Sequence, residues 1–193
     1  MRRLVMLLTT MIVVVVGCAG APVAGDAHPR RDDTEESAGI TLPPRPRELP
    51  LDSVDPCELL TTAQRVSLGL SERSLPGTTD APYFAGPTCT VSGFEPRDVG
   101  ADVGLVTNTG LDQLLAPGLL SDEVAVISVA DFPAIVAKPS QPDYCSVDVD
   151  VADGQFLDVQ FRDSGKNPPI PQDDLCRDAV RVAEAALHTL QTM

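Results

Sequence analysis

Five cysteines hold most of the reactive chemistry in this chain, and their spacing separates one from the other four. Cys18 closes the run Val15-Val16-Gly17-Cys18, which follows Met1-Arg2-Arg3 and thirteen mostly apolar residues from Leu4 to Val16. A cysteine thiolate is nucleophilic enough to take up a diacylglyceryl group as a thioether. Two acyl chains, at about 0.8 kcal/mol per buried CH₂, hold a protein at a bilayer where one would be marginal. As a helix the apolar run would span about 20 Å, short of the roughly 30 Å hydrocarbon core, and it fits the apolar centre of an export signal better. Arg2-Arg3 lacks the wider twin-arginine motif, so the general export route is expected.

Cys57, Cys89, Cys145 and Cys176 remain, an even number in a chain expected to leave the reducing cytosol, and disulfides follow. Zinc ligands come as close pairs, whereas neighbours here lie about thirty residues apart, so no metal site is expected. Of the possible pairings we favour Cys57 with Cys89 and Cys145 with Cys176, because each joins a predicted helix to the strand it should cover. Closing a loop of about 32 residues stabilises the fold by roughly 3–4 kcal/mol in the chain-entropy view.

Other chemistry is sparse. Neither a nucleophile elbow, a P-loop, a dinucleotide glycine fingerprint nor an H-E-x-x-H pattern is present. His28 and His188 are the only histidines, and Ser164-Gly165-Lys166 runs into Asn167-Pro168-Pro169 and reads as a loop. No catalytic residue and no cofactor are therefore expected. Asp148, Asp150 and Asp153-Gly154 imitate a calcium loop with the wrong spacing. Asp148, Asp150 and Asp158 are still expected to line one strand face, where they could bind a cation weakly or meet a basic partner, or simply be solvated.

These residues need elements to position them. Asp55-Pro56-Cys57-Glu58 opens a helix with a cap and a first-turn proline, and Thr61 with Gln64 repeats the capping spacing before Gly69. Two short helical pieces are predicted, 56–60 and 62–68. Residues 172–191 form the clearest helix, with Asp173 and Asp174 near its positive end and Leu175, Ala179, Ala183, Ala186, Leu187 and Leu190 along one side. Cys176 shares that side. Period-two patterns predict strands at 89–91, 103–107, 124–129, 134–137, 144–151 and 156–161.

For the last two strands a three-residue loop, Ala152-Asp153-Gly154, pairs Val151 with Gln155, Val149 with Leu157 and Asp148 with Asp158. A two-residue loop would set valine against charge. Pro82-Tyr83-Phe84-Ala85-Gly86-Pro87 reads as an aromatic loop over the sheet end. Leu111 to Leu120 reads as a short helix on one sheet face, interrupted at Pro117-Gly118.

Length, 193 residues, suits one domain with appendages. Net charge is -14, which argues against nucleic acid as a partner. Residues 19–54 contain six prolines and mixed charges, the composition of a tether reaching roughly 30–36 Å if flexible. The expected organisation is a signal peptide at 1–17, a disordered tether at 18–54 and a disulfide-stapled domain at 55–193. The expected fold class is α+β: an antiparallel sheet of about five strands with N- and C-terminal helices on one face.

The segment ending at Cys18 resembles the bacterial lipobox. With the tether, D-P-C-x-L-L-T from Asp55, C-T-x at Cys89, Y-C-x-V at Tyr144 and C-x-x-A at Cys176, the chain over about residues 55–190 resembles the actinobacterial lipoprotein family known as domain of unknown function 3558. That resemblance implies an exported, disulfide-bonded α+β domain with no established activity or cofactor. Family members often carry Trp two residues after the second cysteine, where this chain has Val91. The expected function is a non-catalytic interaction or ligand-binding module, lipid-anchored on the extracytoplasmic side of the cell membrane. The alternative is a carrier of small apolar ligands under the Leu111–Leu120 segment; otherwise the partner is a protein.

Overall fold

Period-two alternation builds more of this molecule than the sequence suggested. In the computed structural model, which describes residues 40–81, 83–94, 96–120 and 123–193, seven strands form one sheet. They are β1 (Leu75–Ala81), β2 (Phe84–Gly93), β3 (Val99–Val106), β4 (Glu123–Val129), β5 (Phe132–Lys138), β6 (Tyr144–Ala152) and β7 (Gln155–Asp163). Every pairing is antiparallel, in the order β1-β2-β3-β7-β6-β5-β4. A 3-10 turn (Pro56–Glu58) and three helices complete the described body: α1 (Thr62–Ser67), α2 (Leu111–Leu114) and α3 (Gln172–Leu190).

The expected α+β fold of about five strands is therefore corrected to a mainly β fold of seven. β1 escaped notice because Leu75-Pro76-Gly77-Thr78-Thr79-Asp80-Ala81 is poor in strand formers; it is an exposed edge held by pairing with β2, which overrides propensity. The aromatic loop expected around residues 82–87 is also corrected, since Phe84 to Pro87 belong to β2. Phe84 packs edge-on against Phe156, with ring centroids 5.8 Å apart.

α3 covers one sheet face. Its Leu175, Ala179, Val182, Ala183, Ala186 and Leu187 are wholly buried, chiefly over β6 and β7, in one core with Val147, Val159 and Phe161. α1 joins the same layer, begun by the Thr61–Gln64 capping box, with Gln64 Nε2 donating to the Ala185 carbonyl at 2.9 Å. Gly69, at φ +76°, stops it. Both disulfides staple this layer to the sheet in the favoured pairing, Cys57 to Cys89 and Cys145 to Cys176, each with Cα atoms 5.0 Å apart.

The β6–β7 hairpin keeps the expected register at Cys145–Phe161, Val147–Val159, Asp148–Asp158 and Val149–Leu157. It departs at the turn: Gln155 faces Ala152, and a bulge lies between Asp150 and Ala152. The Val151 carbonyl instead accepts from Leu49 N–H at 2.8 Å.

That bond belongs to a strap inside the segment expected to be tether. Leu51 is buried, its N–H donates to Gln155 Oε1 at 2.7 Å, and Gln155 Nε2 reaches Asp52 at 3.0 Å. Arg45 Nη1 donates to both Asp150 oxygens, at 2.6 and 2.7 Å, while its Nε and Nη2 hold Glu48. The packed body thus begins before residue 55, because Leu49 and Leu51 have apolar contacts and backbone partners waiting on the hairpin.

Candidate functional site

The face away from α3 carries the unusual chemistry. Antiparallel pairing lines its side chains into rows that cross the sheet. One row reads Gly77, Thr88, Gly104, Asp158, Asp148, Ile135, each the register partner of the next. The neighbouring row reads Thr90, Asp102, Gln160, Ser146. At one end α2 seals the face: Leu111, Leu114 and Leu115 pack on Val106, Ile135 and Phe156, with Leu42 of the strap alongside.

Between the β1 edge and the acidic pair lies a cavity of about 340 Å³ whose lining includes Thr79, Phe84, Thr88, Asp102, Asp158 and Gln160. Gly104 forms part of its floor. A Cβ there would lie 3.3 Å from Asp158 Oδ2 and 3.6 Å from the Thr88 methyl carbon, so glycine is what leaves that carboxylate oxygen room. Gly100 serves a parallel purpose four residues earlier, where the Arg162 guanidinium lies over its Cα and pairs with Asp102. Asp102 also accepts from the Thr90 hydroxyl.

Asp148, Asp150 and Asp158 do share this face, as the alternation required, but none is solvated: their exposures are 2, 8 and 8%. They also divide into two groups. Asp150 is taken by Arg45, and burial lifts its pKa with only partial opposition from that guanidinium. Asp158 faces Asp148 across the β6–β7 pair and accepts weakly from Gln160 Nε2 at 3.3 Å, while its Oδ1 meets no donor hydrogen in the described residues. Burial pushes the Asp158 carboxyl up to about 6, with Asp148 and Gln160 opposing. Two adjacent buried carboxyls of this kind behave as a pair that holds a proton between them.

A second cleft, of about 650 Å³, lies between the strap and the β6–β7 turn, bounded by Pro44, Arg45, Glu48, Asp112, Asp150 and Asp153. Its wall mixes these charges with Ile40, Leu42 and Pro43, and Leu111, Leu114 and Leu115 of the segment that suggested an apolar groove are spent on the packing under α2, while Leu119 stays exposed.

The remaining sequence candidates separate in space. His188 is exposed on α3. Ser164 and Lys166 sit in a loop organised by Asp163, whose carboxylate accepts from the N–H groups of Gly165, Lys166 and Ile170 at 3.0, 2.7 and 2.8 Å. Lys166 Nζ donates to the Pro96 carbonyl at 3.0 Å. Cys18, His28, the export signal and the tether up to residue 39 lie outside the described residues.

Sequence reasoning missed Arg45, Asp102, Gly104, Gln160 and Arg162. The signal for Arg162 and Asp102 was an alternation running on into residues whose partners are set by strand order, which one sequence does not disclose. Gly104 could have been flagged as a glycine inside a strand pattern.

The fold and slot define a disulfide-stapled, single-sheet domain with helices over one face and a polar trough on the other. The chain belongs to the family described as protein of unknown function (DUF3558), whose model matches residues 13–189. Comparison with curated proteins and with solved structures returns no match.

Proposed function

We propose that this protein is a non-catalytic binding module of the cell envelope, held at the extracytoplasmic side of the membrane through a lipid on Cys18. The observation that carries the binding role is the glycine-floored trough on the sheet face, where the buried Asp158 and half-buried polar side chains line a cavity of small-ligand size. The location is supported by the two disulfides, which suit an oxidising compartment, and by the acylation-competent cysteine that follows an export-like segment. An actinobacterial lipoprotein is the corresponding source class. The apolar-carrier reading has less support, since each of the two cavities has carboxylates in its wall, Asp102 and Asp158 in one and Glu48, Asp112, Asp150 and Asp153 in the other.

Detergent phase partition of the full chain, expressed in a host that acylates lipoproteins, tests the anchor. Wild type should enter the detergent phase with a mature N-terminal peptide heavier by a diacylglyceryl group, and Cys18→Ser should stay aqueous. Equal partition of the two chains, with an unmodified leader, would overturn the location. Crosslinking in intact cells then asks whether capture of a specific ligand or protein depends on the anchor.

A further inference from the structure

We propose that the slot beside Gly104 is a binding site for a primary alkylammonium group, with Asp158 as its anionic acceptor and the hydroxyls of Thr79 and Thr88 as its neutral ones. The inference deepens the binding-module reading and rests on it.

The chemistry follows from what faces the slot. Its lining takes Asp102 from β3, Asp158 and Gln160 from β7, Thr88 from β2 and Thr79 from β1, with Asp148, Arg162 and Thr90 on the same sheet face beside it. The remaining charged groups on this face, Asp150 with Arg45, Glu48 and Asp112, gather around the other cleft. Among the described residues Arg162 is the cation on the slot side, and it is paired with Asp102. What remains is the negative charge shared by the Asp158–Asp148 pair; Asp158, more than nine-tenths buried, lines the cavity and turns Oδ2, which accepts from Gln160 Nε2 at 3.3 Å, toward the space that Gly104 leaves. A buried anion of this kind favours a cation that brings its own hydrogens.

The size and lining choose among cations. A bare metal ion needs a tight cage of oxygens, yet no group of three or more His, Cys, Asp or Glu is placed to hold one among the described residues. The cavity, about 340 Å³, has room for a short alkyl stem, and Phe84 in its lining can meet that stem or its charge. A neutral polyol would leave the carboxylate charge uncompensated. The ammonium could arrive on a free amine or on a lysine side chain.

Ligand-observed saturation-transfer NMR on the full-length chain in detergent tests this with n-butylammonium, acetyl-Gly-Lys-Gly-amide, methyl glucoside and calcium chloride. Butylammonium should bind at pH 7.5. It should bind about tenfold more weakly at pH 5, where a carboxyl titrating at about 6 is mostly protonated. Binding should vanish in Asp158→Asn and weaken about three- to tenfold in Thr88→Val, whose isosteric side chain preserves packing. Both variants should melt cooperatively, and binding by the lysine peptide in place of the free amine would identify a peptide-borne source. Equal binding by wild type and Asp158→Asn, preference for methyl glucoside, or displacement of the amine by calcium would each overturn the assignment. Those outcomes leave the anchored-module reading standing, whereas failure of the Cys18 partition experiment removes that reading and leaves the slot chemistry intact.

Discussion

Asp158 illustrates how much a single buried proton can matter. An unfolded chain releases this proton near pH 3.9, and the folded chain retains it up to about 6. The folded state therefore binds more protons between those values, so this group's contribution to stability is complete below about pH 4 and is lost as pH rises through 6. Two pH units correspond to about 2–3 kcal/mol. Asp158→Asn should consequently melt about 4–10 °C higher than wild type at pH 7.5, and the two should converge near pH 4. Scanning calorimetry across that range checks it; identical melting at pH 7.5 would mean that the pair carries no such penalty. A stability cost retained at the centre of a sheet fits a position kept for binding rather than for packing.

At the scale of elements, each disulfide fastens a helical piece to a strand. Closing the 31-residue separation between Cys145 and Cys176 is worth about 3–4 kcal/mol. Cys145→Ser with Cys176→Ser should lower the urea midpoint accordingly, and adding reductant should then cost the double variant less than it costs wild type. The strap offers an independent check. Arg45→Ala strands the largely buried Asp150 carboxylate and should cost about 1–3 kcal/mol, with faster proteolytic cleavage around residues 45–51. Adding Asp150→Asn should recover most of the loss; no recovery would mean that Arg45 acts through packing alone.

The elements that sequence disclosed are those with local signals: α3 through its apolar stripe, α1 through its capping box, and β6–β7 through alternation that sets Asp148 against Asp158. β1 was invisible because its identity comes from its neighbour, and the β4–β5 turn because Ala130-Asp131 adopts φ of 45° and 71° without the usual Asn-Gly signature. Likewise, the acidic face was legible, yet its burial was not. Burial there arises from α2, the strap and the seven-strand width, all of them long-range consequences.

For the whole molecule, the two faces have unequal duties. One is closed by α3, whose loss would expose Val147, Val159, Phe161 and their neighbours at once. A chain ending at residue 171 should fail to fold cooperatively, with near-ultraviolet circular dichroism lost and hydrophobic dye bound. A truncated chain that retained a sharp melting transition would show the sheet to be self-sufficient. Among the described residues no helix covers the opposite face across β1, β2, β3 and β7, and the trough opens there.

The attachment of the strap has a mechanical consequence. A pull applied from the amino-terminal side first meets the grip of Arg45 on Asp150, then the Leu49–Val151 backbone bond, and then Cys57, where the load passes through sulfur into β2. Peeling from residue 40 to that staple can lengthen the chain by at most about 60 Å. Beyond it, tension must shear a strand bonded on both sides, so the first few bonds act as a release catch and the covalent link as a stop.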